Sequence, residues 1–96
     1  ANVDAKDLEG RTALMEAVLA YKVDTIKFLV EKGANINACD NQGTTALMRA
    51  AYAGYKELVE YLLENGADKN VMDIHGNKAI HYVRKECFED LKGLLA

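Results

Sequence analysis

Residues 40–48 read Asp-Asn-Gln-Gly-Thr-Thr-Ala-Leu-Met, and closely related stretches lie 33 residues before and 33 residues after them. Residues 7–15 read Asp-Leu-Glu-Gly-Arg-Thr-Ala-Leu-Met, and residues 73–81 read Asp-Ile-His-Gly-Asn-Lys-Ala-Ile-His. The same spacing relates Gly33 to Gly66 further along the chain. Self-similarity at one fixed period of this length is typical of proteins built from stacked structural repeats.

The period divides the 96 residues into one repeat domain. Residues 1–6 correspond to the tail of a preceding repeat, 7–39 form unit 1, 40–72 form unit 2, and 73–96 form unit 3, a shorter capping repeat at the C-terminal end. Because residues 1–6 have the register of a repeat tail without its helices, we expect further repeats before Ala1, or self-association or a partner at that end.

Each unit is predicted to contain a turn, a short helix and a longer amphipathic helix. Asp-x-x-Gly is typical of a turn, and the hydroxyls of Thr12 and Thr45 are placed to cap the first helix. Lys78 occupies that place in unit 3 and cannot accept such a bond. Gly33 and Gly66 are predicted to end the second helix in the left-handed conformation. The predicted first helices are 13–20, 46–53 and 79–86, and the predicted second helices are 24–32, 57–65 and 89–95.

These motifs resemble the ankyrin repeat, which has a 33-residue period. The similarity is clearest at residues 40–48, Ala50-Ala51, Gly54-Tyr55 and 66–70. It implies an all-α repeat fold, an α-solenoid in which ankyrin-like helix-turn-helix units stack and carry β-hairpin fingers. It also implies a protein–protein interaction module or scaffold, not an enzyme, that binds another protein through its fingers and its concave first-helix face. The alternative is a regulatory segment of a larger enzyme or channel.

One position of the family motif departs from the pattern in two units. The motif histidine is Met15 in unit 1 and Met48 in unit 2, and it is kept only as His81. We expect the two methionines to lie in the core and His81 to tie its turn by a hydrogen bond.

The residues predicted to contact a partner are those that vary between units while the framework repeats. Leu8, Leu19, Tyr52 and Ile74 would be exposed apolar or aromatic anchors, although plain surface is the alternative for any one of them. The finger positions are Leu8, Glu9 and Arg11, then Asn41, Gln42 and Thr44, then Ile74, His75 and Asn77; the groove positions are Leu19, Tyr52 and Lys85.

Composition and spacing exclude several other functions. The net charge of −3 with interspersed acids disfavours nucleic acid, and no apolar run reaches the ~20 residues of a membrane span, so we expect neither nucleic-acid binding nor membrane insertion. His75 and His81 are six residues apart, which does not suit a metal site on a helix. No catalytic constellation, metal site or cofactor site is predicted. Cys39 and Cys87 stand far apart, which favours an intracellular, cytoplasmic protein.

Overall fold

The computed structural model describes residues 3–96, within which helices follow one another in pairs. The elements are α1 (Ala13–Leu19), α2 (Val23–Glu31), α3 (Ala46–Ala53), α4 (Lys56–Glu64), α5 (Ala79–Tyr82), a 3₁₀ turn (Lys85–Cys87) and α6 (Phe88–Leu95). The described part of the chain has no helix with the length and apolar character needed to cross a membrane.

The first helices of units 1 and 2 begin at capping threonines, as predicted. Thr12 Oγ1 accepts a hydrogen bond from the backbone N–H of Met15 at 3.4 Å, and Thr45 Oγ1 accepts one from Met48 at 3.3 Å. In unit 3 the side chain of Lys78 makes no cap bond; instead its backbone N–H donates to Nδ1 of His81 at 2.8 Å. The prediction that His81 ties its turn is therefore confirmed.

The second helices of units 1 and 2 end at glycines. Gly33 has a φ of +89°, and the next residue, Ala34, returns a hydrogen bond to the carbonyl of Leu29 at 3.0 Å. Gly66 and Ala67 repeat this arrangement in unit 2. Such a left-handed C-cap satisfies helix carbonyls that would otherwise lack partners.

The units are joined by helix-to-helix packing. Helix α3 contacts α1 on one side and α5 on the other, and α4 contacts α6. Met15 and Met48 are each 1% exposed, so both lie in the core as predicted. The largest enclosed side chains are Leu14, Met15, Val18, Ile26, Leu47, Met48, Val59, Leu62 and Leu91.

The connections between units are tight turns. Within residues 3–96 there is no β-strand, and a single antiparallel bridge joins Cys39 to Thr45. The predicted β-hairpin fingers are thus not confirmed, because each Asp-x-x-Gly turn is flanked by too few extended residues to build a ladder. The turns nevertheless stack on one another: the N–H of Asn41 donates to Glu9, and that of Ile74 donates to Gln42, both at 3.0 Å. We call these three stacked connections the finger turns.

The prediction of one helix over 79–86 was wrong. Helix α5 ends at Tyr82, and Val83 adopts an extended conformation with a ψ of 125° before the 3₁₀ turn begins. Val83 takes the place of Ala50, which is fully enclosed in α3. A β-branched residue is stiffer and larger than alanine, and α5 also lacks the hydroxyl cap of α1 and α3. Lys85 consequently lies on the 3₁₀ turn and not on a first helix.

Candidate functional site

A hollow of about 360 Å³ lies between the first helices, and it contains three of the residues predicted to bind a partner. Tyr52 of α3 and Leu19 of α1 are 59% and 46% exposed, and buried Met48 also lines the hollow. We call this hollow the first-helix groove. Its lining residues are Leu19, Thr44, Met48, Arg49, Tyr52, Ala53 and Tyr82.

A second hollow, of about 410 Å³, lies between the finger turns of units 1 and 2. It contains five of the predicted residues, and it shares Arg49 with the first-helix groove. Leu8 at its rim is 99% exposed. The amide of Asn41 donates to the carbonyl of Leu8 at 3.0 Å, so this side chain holds the finger turns together. The lining residues are Leu8, Glu9, Arg11, Asp40, Asn41, Gln42 and Arg49.

The four predicted residues of unit 3 line neither hollow. Ile74, 66% exposed, and exposed His75 lie on the third finger turn, whereas Asn77 is half-buried where its backbone N–H donates to Asp73. Lys85 is exposed on the 3₁₀ turn.

The aspartate that opens each unit organises its finger turn. In unit 2, Oδ1 of Asp40 accepts backbone hydrogen bonds from Gln42 and Thr44, and Oδ2 pairs with the guanidinium of Arg49 at 2.5 Å. Residues 16 and 82 occupy the place of Arg49 in the other units. In unit 3 the hydroxyl of Tyr82 donates to Asp73 Oδ2, so the aspartate is again satisfied from the first helix.

Unit 1 differs because Glu16 cannot donate to Asp7. Arg11 instead reaches three carboxylates: Glu9 at 2.9 Å, Glu16 at 3.2 Å and Asp7 at 3.6 Å. The backbone N–H of Arg11 hydrogen-bonds Asp7 and, with that of Glu9 and the nearby guanidinium, holds the pKa of this carboxyl below its ordinary value. Three acids thus share a single cation on the surface of unit 1.

Sequence reasoning missed the groove residues Met48, Arg49, Ala53 and Tyr82. The column of residues 16, 49 and 82 reads Glu, Arg and Tyr, which is as variable as the positions that were chosen. Applying the variability criterion to this column would have identified Arg49 and Tyr82. Met48 and Ala53 carry no such signal, since their exposure to the groove depends on how the helices pack.

The bond between Tyr82 and Asp73 gives a testable pH dependence. The Tyr82 hydroxyl, together with the backbone N–H groups of Asn77 and His75, holds the pKa of Asp73 below its ordinary value of 3.8. The same bond raises the pKa of Tyr82 above its ordinary value of 10.0. The contribution of Asp73 to stability is therefore present above pH 3.8 and lost as the pH falls through its lower folded pKa. That of Tyr82 is present below pH 10.0 and lost as the pH rises through its higher folded pKa.

We expect Tyr82→Phe to lower the melting temperature by a few degrees between these pH limits and to have less effect beyond them. Thermal unfolding followed by circular dichroism across the pH range measures the difference. Tyr52→Phe, which removes a hydroxyl from an exposed ring, is the matched control. A difference between wild type and Tyr82→Phe that stays constant across the pH range would contradict the assignment.

The hollows elsewhere on the described residues contain none of the residues predicted to bind a partner. One of them, of about 300 Å³, lies on the outer side between α2 and α4. The rings of Tyr21 and Tyr55 beside it contact each other with centroids 4.3 Å apart, so each already has an aromatic partner within the protein. No group of three or more His, Cys, Asp or Glu side chains among residues 3–96 is placed to hold a metal ion.

A family model described as ankyrin repeats, in three copies, matches residues 1–73. The chain belongs to the ankyrin-repeat family. Ankyrin repeats are in general protein-interaction modules and are typically non-enzymatic. No curated protein matches the chain. The matched stretch contains α1 to α4 of the ankyrin repeats, and α5 and α6 follow it.

Proposed function

We propose that this ankyrin-repeat chain binds a partner protein through the first-helix groove and the adjoining finger turns. The observation that carries the proposal is the pairing of exposed Tyr52 and Leu19 across an open apolar hollow. Large exposed apolar side chains at the centre of a hollow are the kind that carry binding free energy, because a partner removes them from water with little loss of rotamer freedom.

The fold supports this proposal by holding the groove in place before a partner arrives. Tyr52 projects from α3, whose inward residues Ala50 and Ala51 are fully enclosed. The guanidinium of Arg84 lies over the Tyr52 ring at 5.5 Å and donates to the carbonyl of Ala53 at 3.3 Å. A groove that is already ordered loses little conformational entropy on binding. The same face would serve a regulatory segment of a larger enzyme or channel equally well.

The experiment is a selection of random peptides displayed on phage against the chain, followed by NMR mapping of a selected peptide. We expect the largest amide shifts at Leu19, Thr44 and Tyr52 and around the finger turns. Shifts confined to the outer hollow near Tyr21 and Tyr61 would show that the binding face is the opposite one. Counter-selection against the chain held unfolded in urea removes peptides that recognise core residues, which are exposed only in the unfolded state.

A further inference from the structure

The charges beside the groove change sign along the stack. At unit 1, the side chains of Asp7, Glu9 and Glu16 are 48%, 70% and 53% exposed, and they share the single guanidinium of Arg11. Exposed Lys6 lies close by, with its amine donating to the carbonyl of Cys39, but two cations cannot neutralise three carboxylates, so this end of the face is negative.

Unit 2 is electrically balanced beside the groove, because Asp40 and Arg49 form a close ion pair that is mostly shielded from water. The unit 3 end carries the opposite excess. Arg84 and Lys85 are exposed there and Lys78 is half-buried, whereas Asp73 is buried and engaged by Tyr82. Glu86 is the remaining acid between residues 73 and 87.

From this arrangement we propose that the first-helix groove binds an extended segment of a partner protein whose charges run from basic to acidic. The basic end lies over Glu9 and Glu16 of unit 1, an apolar side chain packs against Tyr52 and Leu19, and the acidic end lies over Arg84 and Lys85. This proposal rests on the proposed function and adds the charge order of the partner and its direction along the groove. Complementary potentials of this kind fix the register of a partner and suppress partners of the wrong charge.

The length of the segment follows from the stacking of the helices. Neighbouring packed helices lie ~10 Å apart, so α1, α3 and the 3₁₀ turn together span ~20 Å. An extended chain advances ~3.3 Å per residue, and a segment of about six residues covers this distance.

The test uses three synthetic peptides of about ten residues that share one central Leu-Phe pair and differ in their flanks. The first has two lysines on one side and two glutamates on the other, the second has lysines on both sides, and the third has glutamates on both sides. Isothermal titration calorimetry against the intact chain is expected to give the tightest binding for the first peptide. We expect its advantage to shrink as added salt screens the exposed charges.

Charge-reversed variants identify which end of the first-helix groove binds the basic flank of the peptide and which binds the acidic flank. We expect Glu9→Lys/Glu16→Lys to weaken binding of the mixed-charge peptide about tenfold and to strengthen binding of the all-glutamate peptide. Lys85→Glu, at an exposed site, should weaken binding of the mixed-charge peptide without disturbing the ion pairs of Arg11. The matched control is Glu57→Lys/Glu64→Lys, which makes the same change of net charge on the exposed side of α4 and should leave the order of the three peptides unchanged.

Direction is read by NMR with a nitroxide attached to one end of the mixed-charge peptide. A label at the lysine end should broaden amide signals of α1 and the first finger turn, and a label at the glutamate end should broaden those of residues 84–87. Equal affinities for the three peptides, or the same broadening from both labels, would overturn the charge order while Tyr52→Ala still weakens binding. If no peptide binds, or if Tyr52→Ala changes none of the affinities, both the proposed charge order and the proposed function of the first-helix groove are wrong.

Discussion

Replacing Gly43 with alanine is expected to destabilise the protein by about 2–5 kcal/mol, because two separate costs add at this position. Gly43 has a φ of +79°, a left-handed conformation that costs other residues ~1–2 kcal/mol. An added Cβ would also lie 2.9 Å from Cα of Asp73, which belongs to the next finger turn. Backbone cannot move aside as a side-chain end can, so overpacking adds ~1–3 kcal/mol.

Gly76→Ala separates these two causes. Gly76 has nearly the same φ, +77°, but nothing lies within 4 Å of the added Cβ. Urea denaturation should therefore show a loss of ~1–2 kcal/mol for Gly76→Ala and a clearly larger loss for Gly43→Ala. Equal losses would mean that the close approach of the finger turns contributes nothing to the joint between units 2 and 3.

Replacing Tyr52 with alanine is expected to weaken binding of a selected partner by ~1–3 kcal/mol, which corresponds to a factor of roughly 5 to 150 in Kd. The ring is 59% exposed in the free protein and becomes buried only when a partner covers the groove. The effect on folding should stay below ~1 kcal/mol, because the ring interacts within the free protein mainly with the exposed guanidinium of Arg84.

Phe28→Ala is the matched control for Tyr52→Ala. Phe28 is 57% exposed, also aromatic, and lies on α2, away from the residues that line the first-helix groove. Glu60→Ala on α4 provides a second control on a second helix. We expect calorimetry to show nearly unchanged affinity for both controls. If Phe28→Ala or Glu60→Ala lowers the affinity and Tyr52→Ala does not, the partner binds the outer side of the stack.

Local chemistry explains why much of the fold could be read from the sequence. Thr12 and Thr45 cap helices because their hydroxyls lie three residues before N–H groups that lack partners, and this depends on sequence neighbours alone. Gly33 and Gly66 end helices for an equally local reason, the freedom of glycine to adopt a positive φ. The 33-residue register then places these signals in every unit.

The parts that could not be read depend on contacts between units. The early end of α5 reflects the tight space around the position that Ala50 fills and Val83 does not. Tyr21 shows both cases: its positive φ of 54° follows from its place 33 residues before Gly54, which has a φ of +79°, whereas the contact of its ring with Tyr55 of the next unit depends on stacking. The engagement of Asn41 with Leu8 and the groove lining of Met48 and Ala53 likewise arise only once the helices are stacked.

The ladder of hydrogen bonds between finger turns has a consequence for how such a chain can change length. Asn41 donates to Glu9, and Ile74 donates to Gln42, which are corresponding positions one period apart. Asn37 Oδ1 accepts a hydrogen bond from the backbone N–H of Asp68 in the next unit, as Asp4 Oδ1 accepts one from Asn35, and the Asn37 amide also donates to the carbonyl of Gly66. The joint between units 1 and 2 therefore carries both kinds of bond, and Asn70 of unit 2 stands at the place of Asn37. A tandem duplication of the segment that encodes residues 40–72 would place a matching half at each new joint, so the gene can gain a unit in one recombination event without inventing an interface.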